Sequence, residues 1–295
     1  MDSIFDIELE LPNKEISDRA NTLIGFDAKY KRISSNLRLL QEQEAISAWS
    51  EKRHGQQLPI LTYIQDKYPL IILAGDAGTG KTVTAEAIAD QMVRDLHKEG
   101  YFIRLSTRVR GEGLHGQMGN LVNDAFKRLR ELAGKKRLCY LFIDEADAVA
   151  TTRSTLQMHQ EEKAAVNTLI QKIDEIRDLK GRAVVMMSTN RLHFLDEAII
   201  RRAAVIMEFN RPDDLEREEF FRQSLSGLPM TDEEIKQLTE KTGPRNGLDY
   251  GYSYSDLRLR LLPEVVACAF TRDEPITFDV IAGVIDTIKP SPVIS

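Results

Sequence analysis

Cysteine is almost absent: the 295-residue chain has two, Cys139 and Cys268. Neither shows the paired spacing of a zinc site or a disulfide framework, so both read as buried thiols in a reducing compartment. Long apolar runs are missing as well. Stretches such as Leu70 to Ala74 fall far short of the ~20 residues that span a bilayer, and the acidic N-terminus is not a signal peptide. No membrane partner is expected, and the cytoplasm is the expected location. Positive charge is in deficit, with 40 Lys and Arg against 46 Asp and Glu and a net charge of -6. Such a surface repels phosphate backbones as a whole, which disfavours nucleic acid as a direct ligand while leaving room for a local basic stripe. The most basic stretch, Lys127 to Arg137, reads as a solvated helix face running into a turn at Gly134. Internal repeats and low-complexity segments are absent too. What remains is a core-forming chain, with 42% apolar and 29% charged residues close to globular averages.

The length suits one large α/β domain and a smaller companion, since single cores stop growing near ~250 to 300 residues. Residues 4 to 11 alternate apolar and acidic side chains from Phe5 onward, the pattern of a half-exposed strand. That strand either docks a partner or lies as a tail on the chain's own core. From Asp27 to Glu51, Tyr30, Ile33, Leu37 and Leu40 recur at helical spacing and predict one amphipathic helix. Short apolar runs then alternate with helical patterns: Leu70 to Ala74, Tyr101 to Ser106, Leu138 to Ile143 and Ala183 to Ser188, with Val205 to Phe209 as the last strand. The expected fold is α/β, a parallel sheet covered by helices on both faces. After Pro212-Asp213, helical patterns take over near 213–225, 231–242, 253–270 and 276–288, and Thr231 with Glu234 forms a capping box. The expected division is an N-terminal extension (1–20), a large α/β domain (21–211) and a small helical domain (212–295).

Gly75-Asp76-Ala77-Gly78-Thr79-Gly80-Lys81-Thr82 fits G-x-x-x-x-G-K-[ST] between a strand and a helix that starts near Thr82. Backbone N–H groups of Gly75, Ala77, Gly78, Thr79 and Gly80 can converge on phosphates because little side chain blocks them, and the helix N-terminus adds partial positive charge. Lys81 then reaches the β- and γ-phosphates, and the Thr82 hydroxyl ligates Mg²⁺. The strand Leu138 to Ile143 ends in Asp144-Glu145. Asp144 is expected to hold Mg²⁺, directly or through water, and Glu145 to orient and deprotonate the attacking water. Asn190 follows the next strand, where its amide can reach the γ-phosphate and that water, or simply closes the strand. Arg201 and Arg202 place two guanidiniums at a helix end, the chemistry that stabilises a transferring phosphoryl group.

This ordered set, over roughly residues 20 to 290, resembles a AAA+ ATPase module with a helical lid. The resemblance implies that Ile24 and Gly25 contact adenine, that Asn190 is the sensor-one residue, and that Arg202, with Arg201, reaches the adjacent subunit of a homo-oligomeric ring, usually a hexamer. Arg202-Ala203-Ala204 before the last strand, and Gly251-Tyr252-Ser253 in the lid, are similar to segments of the pachytene-checkpoint remodellers, which act on HORMA-domain proteins. That family has a Gly-Arg pair next in the lid, whereas this chain has Tyr254-Ser255, which leaves Arg258 as the substitute sensor-two candidate. The compact bacterial members occur in antiphage systems that signal through cyclic oligonucleotides.

A second glycine-rich stretch, Gly111-Glu-Gly-Leu-His-Gly116, fits the dinucleotide spacing but not its setting, because Arg108 to Arg110 separate it from the strand and Glu131 lies in a helical pattern. Three readings remain: a dinucleotide turn, an ordinary connection, or, by the resemblance, the pore loop. In the last, Leu114 and His115 grip an extended peptide. The function this implies is a ring-forming ATPase that threads and remodels a protein, with a HORMA-domain protein as partner. A AAA+ loader acting on DNA and a nucleotide-dependent switch with little turnover are the alternatives.

Overall fold

The computed structural model describes residues 4–105, 118–150, 160–245 and 247–293. They form two compact units by contact, one holding residues up to 74 together with 82–208, the other holding 75–81 with 209 onward.

The first unit is built on a sheet whose strands are β1 (Phe5–Leu11), β2 (Leu70–Gly75), β3 (Gly100–Leu105), β4 (Leu138–Ile143), β5 (Ala183–Thr189) and β6 (Val205–Phe209). Their spatial order is β1-β3-β4-β5-β2-β6. The β3–β4, β4–β5 and β2–β5 pairs are parallel, as strands separated by helices require. The helices are α1 (Lys14–Ala20), α2 (Phe26–Gln41), α3 (Gln43–His54), α4 (Thr62–Gln65), α5 (Lys81–Asp95), α6 (Met118–Ala133), α7 (Gln160–Glu175) and α8 (Glu197–Ile200). Ile72, Ile103, Leu141 and Val185 on one sheet face pack with Phe126 and Leu129 of α6 and Val166, Leu169 and Ile173 of α7. The alternate residues serve the other face, where Gln41 at the end of α2 donates to the buried Tyr140 hydroxyl at 3.3 Å.

Four expectations change. Residues 5–11, expected either to dock a partner or to lie on the chain's own core, do the latter as an antiparallel edge strand on β3, with Glu8 opposite Ile103; what changes is that the sheet is mixed rather than wholly parallel. The outward acids are used: Glu8 pairs with Arg128 of α6 at 2.6 Å. The single helix from 27 to 51 is two, broken at Glu42 (φ -117°, ψ 34°) where Gln41 also docks on the Gly181 carbonyl at 3.1 Å. Cys139 is buried as expected, whereas Cys268 is only half-buried.

The second unit carries α9 (Asp214–Ser224), α10 (Asp232–Lys241), α11 (Leu262–Thr271) and α12 (Phe278–Thr287). Capping boxes start α9, through Asp213 and Glu216, and α10, through Thr231 and Glu234. The fourth change is here: the helix expected over 253–270 opens as a π-helix, Asp256–Leu261, before α11. Pro263 at the start of α11 has no N–H to offer the carbonyl of Leu259, and its ring crowds that carbonyl, so the preceding turn widens. No described helix is long and apolar enough to cross a membrane.

Candidate active site

The phosphate-loop sequence connects β2 to α5 and lies in the second unit up to Lys81. Its first glycine is fixed by close approach: at Gly75 (φ +149°) a Cβ would stand 2.0 Å from the carbonyl oxygen of Phe209. The loop closes on itself through Thr79 Oγ1, which donates to the Asp76 carbonyl at 2.8 Å. Lys81 Nζ donates to the carbonyls of Gly75 and Asp76, both at 2.9 Å. The Ser255 N–H donates to the Gly78 carbonyl at 3.0 Å, and a Cβ on Gly78 would press into Ser255 and Ser253. Asp76 accepts the Ala77 N–H at 2.8 Å and the Arg211 Nε–H at 2.6 Å.

In the first unit, the strand ends that follow this loop bring the acids together. Parallel register sets Ile143 beside Met187 and Ala74 beside Thr189, so β5 ends between the acidic strand and the strand that carries the loop. Thr82 Oγ1 donates to Asp144 Oδ2 at 3.1 Å. Asp144 Oδ1 accepts from the Ser188 hydroxyl and from the Glu145 N–H, the latter at 3.1 Å. That N–H also reaches Ser188 Oγ at 3.3 Å. Glu145 is exposed and sits in the left-handed region at φ 47°, ψ 49°. A non-glycine residue there carries strain on the order of 1–3 kcal/mol and is kept only where its surroundings over-determine it. Thr189 ties the neighbouring turn, donating to Asp147 at 2.9 Å and accepting the Arg191 N–H at 2.9 Å. Asn190, next along, is half-buried.

The paired arginines separate. Arg202 forms a bidentate contact with Asp174 of α7, at 2.6 Å and 3.0 Å, and stacks on Tyr68. Its side chain is 22% exposed, and the hydrogen bond to Asp174 holds its pKa above the ordinary arginine value. Arg201 is 78% exposed, with an i,i+4 contact to Glu197 at 3.0 Å. Gly25 (φ 67°) precedes α2 and lines a cleft of about 450 Å³ with Asn21, Phe26, Tyr30 and Gln91. Ile24 is half-buried beside it. Leu114 and His115 lie outside the described residues.

The AAA profile, the ATPase family associated with various cellular activities, matches residues 71–211, from the strand before the loop to Arg211. CD-NTase-associated protein 6 of Escherichia coli (strain KTE188) is 43% identical over 292 residues, 99% of this chain and 97% of that protein. The chain belongs to the CD-NTase-associated protein 6 family of AAA ATPases. Among solved structures, the E. coli MS115-1 HORMA:CdnC:Trip13 complex contains a chain that superposes with a TM-score of 0.91 at 35% identity, covering 99% of this chain and 97% of that one. Trip13 of Rhizobiales superposes at 0.75 and 31% identity, covering 98% and 99%.

Within this AAA ATPase the donor set at the strand ends suits Mg²⁺. The Thr82 hydroxyl and Asp144 carboxylate are hard oxygen donors, and Mg²⁺ is commonly held by one or two carboxylates plus substrate phosphates. Among the described residues no cluster of three or more His, Cys, Asp and Glu forms a protein-only metal cage. In the second unit, Arg258 is half-buried on the π-helical segment near Tyr254, while Ser253 and Ser255 make the contacts to the phosphate loop. Burial, and then Glu216, push the Tyr254 hydroxyl's pKa up, so it stays protonated.

Sequence reading passed over Ser188, Asp174 and the Asp76–Arg211 pair. Ser188 is 44 positions from Asp144, and only strand register brings them together. The acid at Asp76 was a visible signal, since a carboxylate inside an anion-binding loop calls for a cation nearby.

Proposed function

We propose that this AAA ATPase assembles into a ring, usually a hexamer in such proteins, and couples ATP hydrolysis to the remodelling of a HORMA-domain protein in antiphage cyclic-oligonucleotide signalling. The carrying observation is the contact chain Thr82–Asp144–Ser188–Glu145, which joins the start of α5, at the last residue of the phosphate-loop motif, to the ends of β4 and β5. Residues 212–295 serve as the lid.

Lys81, with the N–H groups of Gly78, Thr79 and Gly80, binds the β- and γ-phosphates of ATP. Thr82 and Asp144 hold Mg²⁺, which when bound neutralises phosphate charge. Glu145 orients the attacking water and takes its proton, and the Asn190 amide holds that water against the γ-phosphate. Ile24 and Gly25 contact the base, and Arg258 the phosphates from the lid. Arg201 and Arg202 act at the neighbouring subunit's site, and Leu114 and His115 grip the substrate chain.

The test is phosphate release by the full chain with Mg-ATP, alone and with a HORMA-domain protein. Wild-type protein should turn over and alter the partner's conformation. Glu145→Gln should keep ATP binding with turnover reduced by roughly 10²-fold or more. Absence of phosphate release by the wild type, or undiminished turnover in Glu145→Gln, would overturn this reading.

A further inference from the structure

We propose that Arg211 is a positioning residue for the phosphate loop: it neutralises and fixes Asp76, so that a loop carrying its own carboxylate can still receive a polyphosphate. The proposal rests on the nucleotide reading above.

Asp76 occupies the second position of the loop, beside Gly75, whose backbone is clamped against Phe209. A carboxylate there opposes the loop's purpose. It repels an incoming triphosphate, and in a partly desolvated setting that repulsion is several-fold stronger than in bulk water. The structure meets this locally. Asp76 Oδ2 receives Arg211 Nε–H at 2.6 Å, with the two side chains only 12% and 10% exposed. Oδ1 receives the Ala77 N–H at 2.8 Å, so the acid also shapes the loop backbone. Arg211 is itself fixed on two other sides, donating from Nη1 to the Gly251 carbonyl at 2.7 Å and lying 4.7 Å over the Tyr250 ring. The backbone at Gly251 is closely packed, since a Cβ there would stand 2.6 Å from the Thr242 carbonyl oxygen, which also accepts the Tyr252 N–H at 2.9 Å. The guanidinium is therefore a rigid bridge between the loop's acid and the backbone at Gly251, with a geometry that lysine's single ammonium cannot reproduce.

Two roles are separable. If Arg211 acts through charge on Asp76, removing that charge repairs its loss; if it only braces the backbone at Gly251, it does not. The experiment measures Mg-ATP binding to the full chain by calorimetry for wild type, Arg211→Ala, Arg211→Ala with Asp76→Asn, and Arg211→Lys. Arg211→Ala should weaken binding by roughly ten- to a hundredfold, as expected for an uncompensated carboxylate at an effective dielectric of about 20. The loss should shrink as salt is raised from about 50 to 500 mM. Adding Asp76→Asn should recover most of the affinity, and Arg211→Lys should fall between. If Arg211→Ala does not fold, Arg211→Gln with and without Asp76→Asn gives the same comparison. A double variant as weak as the single one, or an unimpaired Arg211→Ala, overturns the inference while leaving nucleotide binding intact. Absence of Mg-ATP binding by the wild type overturns the proposed function and this inference together.

Discussion

The Ser188 hydroxyl donates to Oδ1 of Asp144, the same carboxylate oxygen that accepts the Glu145 N–H. One buried serine on β5 thus holds the Asp144 carboxylate that follows β4 and, through that shared oxygen, the backbone of Glu145, and its own Oγ lies 3.3 Å from the Glu145 N–H.

Ser188→Ala is expected to lower kcat for ATP by roughly tenfold with little change in nucleotide affinity. A hydrogen bond to a charged group is worth about 1.5–3 kcal/mol, and here it orients the acids rather than contacting phosphate. Steady-state hydrolysis beside equilibrium binding separates the two effects. A raised Kd with unchanged kcat would assign Ser188 to binding instead.

Arg201 and Arg202 should part company in stability measurements. Arg202→Ala leaves Asp174 without its bidentate partner and should cost about 1 kcal/mol in urea unfolding, modest because both side chains keep some solvent. Arg201→Ala touches only a solvated pair and should leave the unfolding midpoint where it was. If Arg201 serves a neighbouring subunit, its loss should abolish turnover that rises with protein concentration. Equal unfolding midpoints for the two variants would contradict the division.

Glu86 on α5 sets a pH dependence. Burial raises its pKa above the ordinary 4.5, with Arg19 and Arg104 pulling the other way. Because the folded chain holds this proton more tightly than the unfolded one, the associated stability is complete below about 4.5 and is lost as pH rises through the folded value. Relative to Glu86→Gln, wild type should therefore lose stability as pH climbs above about 4.5 and level off once pH has passed the raised folded-state value. Urea unfolding across that range reads this directly, and a constant difference between the two proteins would refute it.

What the sequence disclosed was whatever is written contiguously. The loop from Gly75 to Thr82 sits between strand and helix because its glycines, its lysine and the flanking apolar run are neighbours in the chain. The capping box of Thr231 and Glu234 was legible for the same reason. Partnerships fixed by register or packing were not. Asp76 and Arg211 are 135 positions apart, and Arg202 and Asp174 meet only because α7 passes beside α8. The break at Glu42 was hidden because apolar spacing runs through it, while the docking of Gln41 on Gly181 depends on a strand far downstream. The antiparallel pairing of β1 was hidden differently, since alternation reports a half-covered strand without naming its neighbour.

The left-handed kink at Glu145 has a kinetic corollary. A residue mounted on such a bend, with its amide already tethered, has few other backbone poses to sample, so the direction in which its side chain leaves the chain is set as the chain folds. For the water-activating role proposed for Glu145, little reorganisation would then be left for each round of turnover, and loosening that bend would cost speed before it cost affinity.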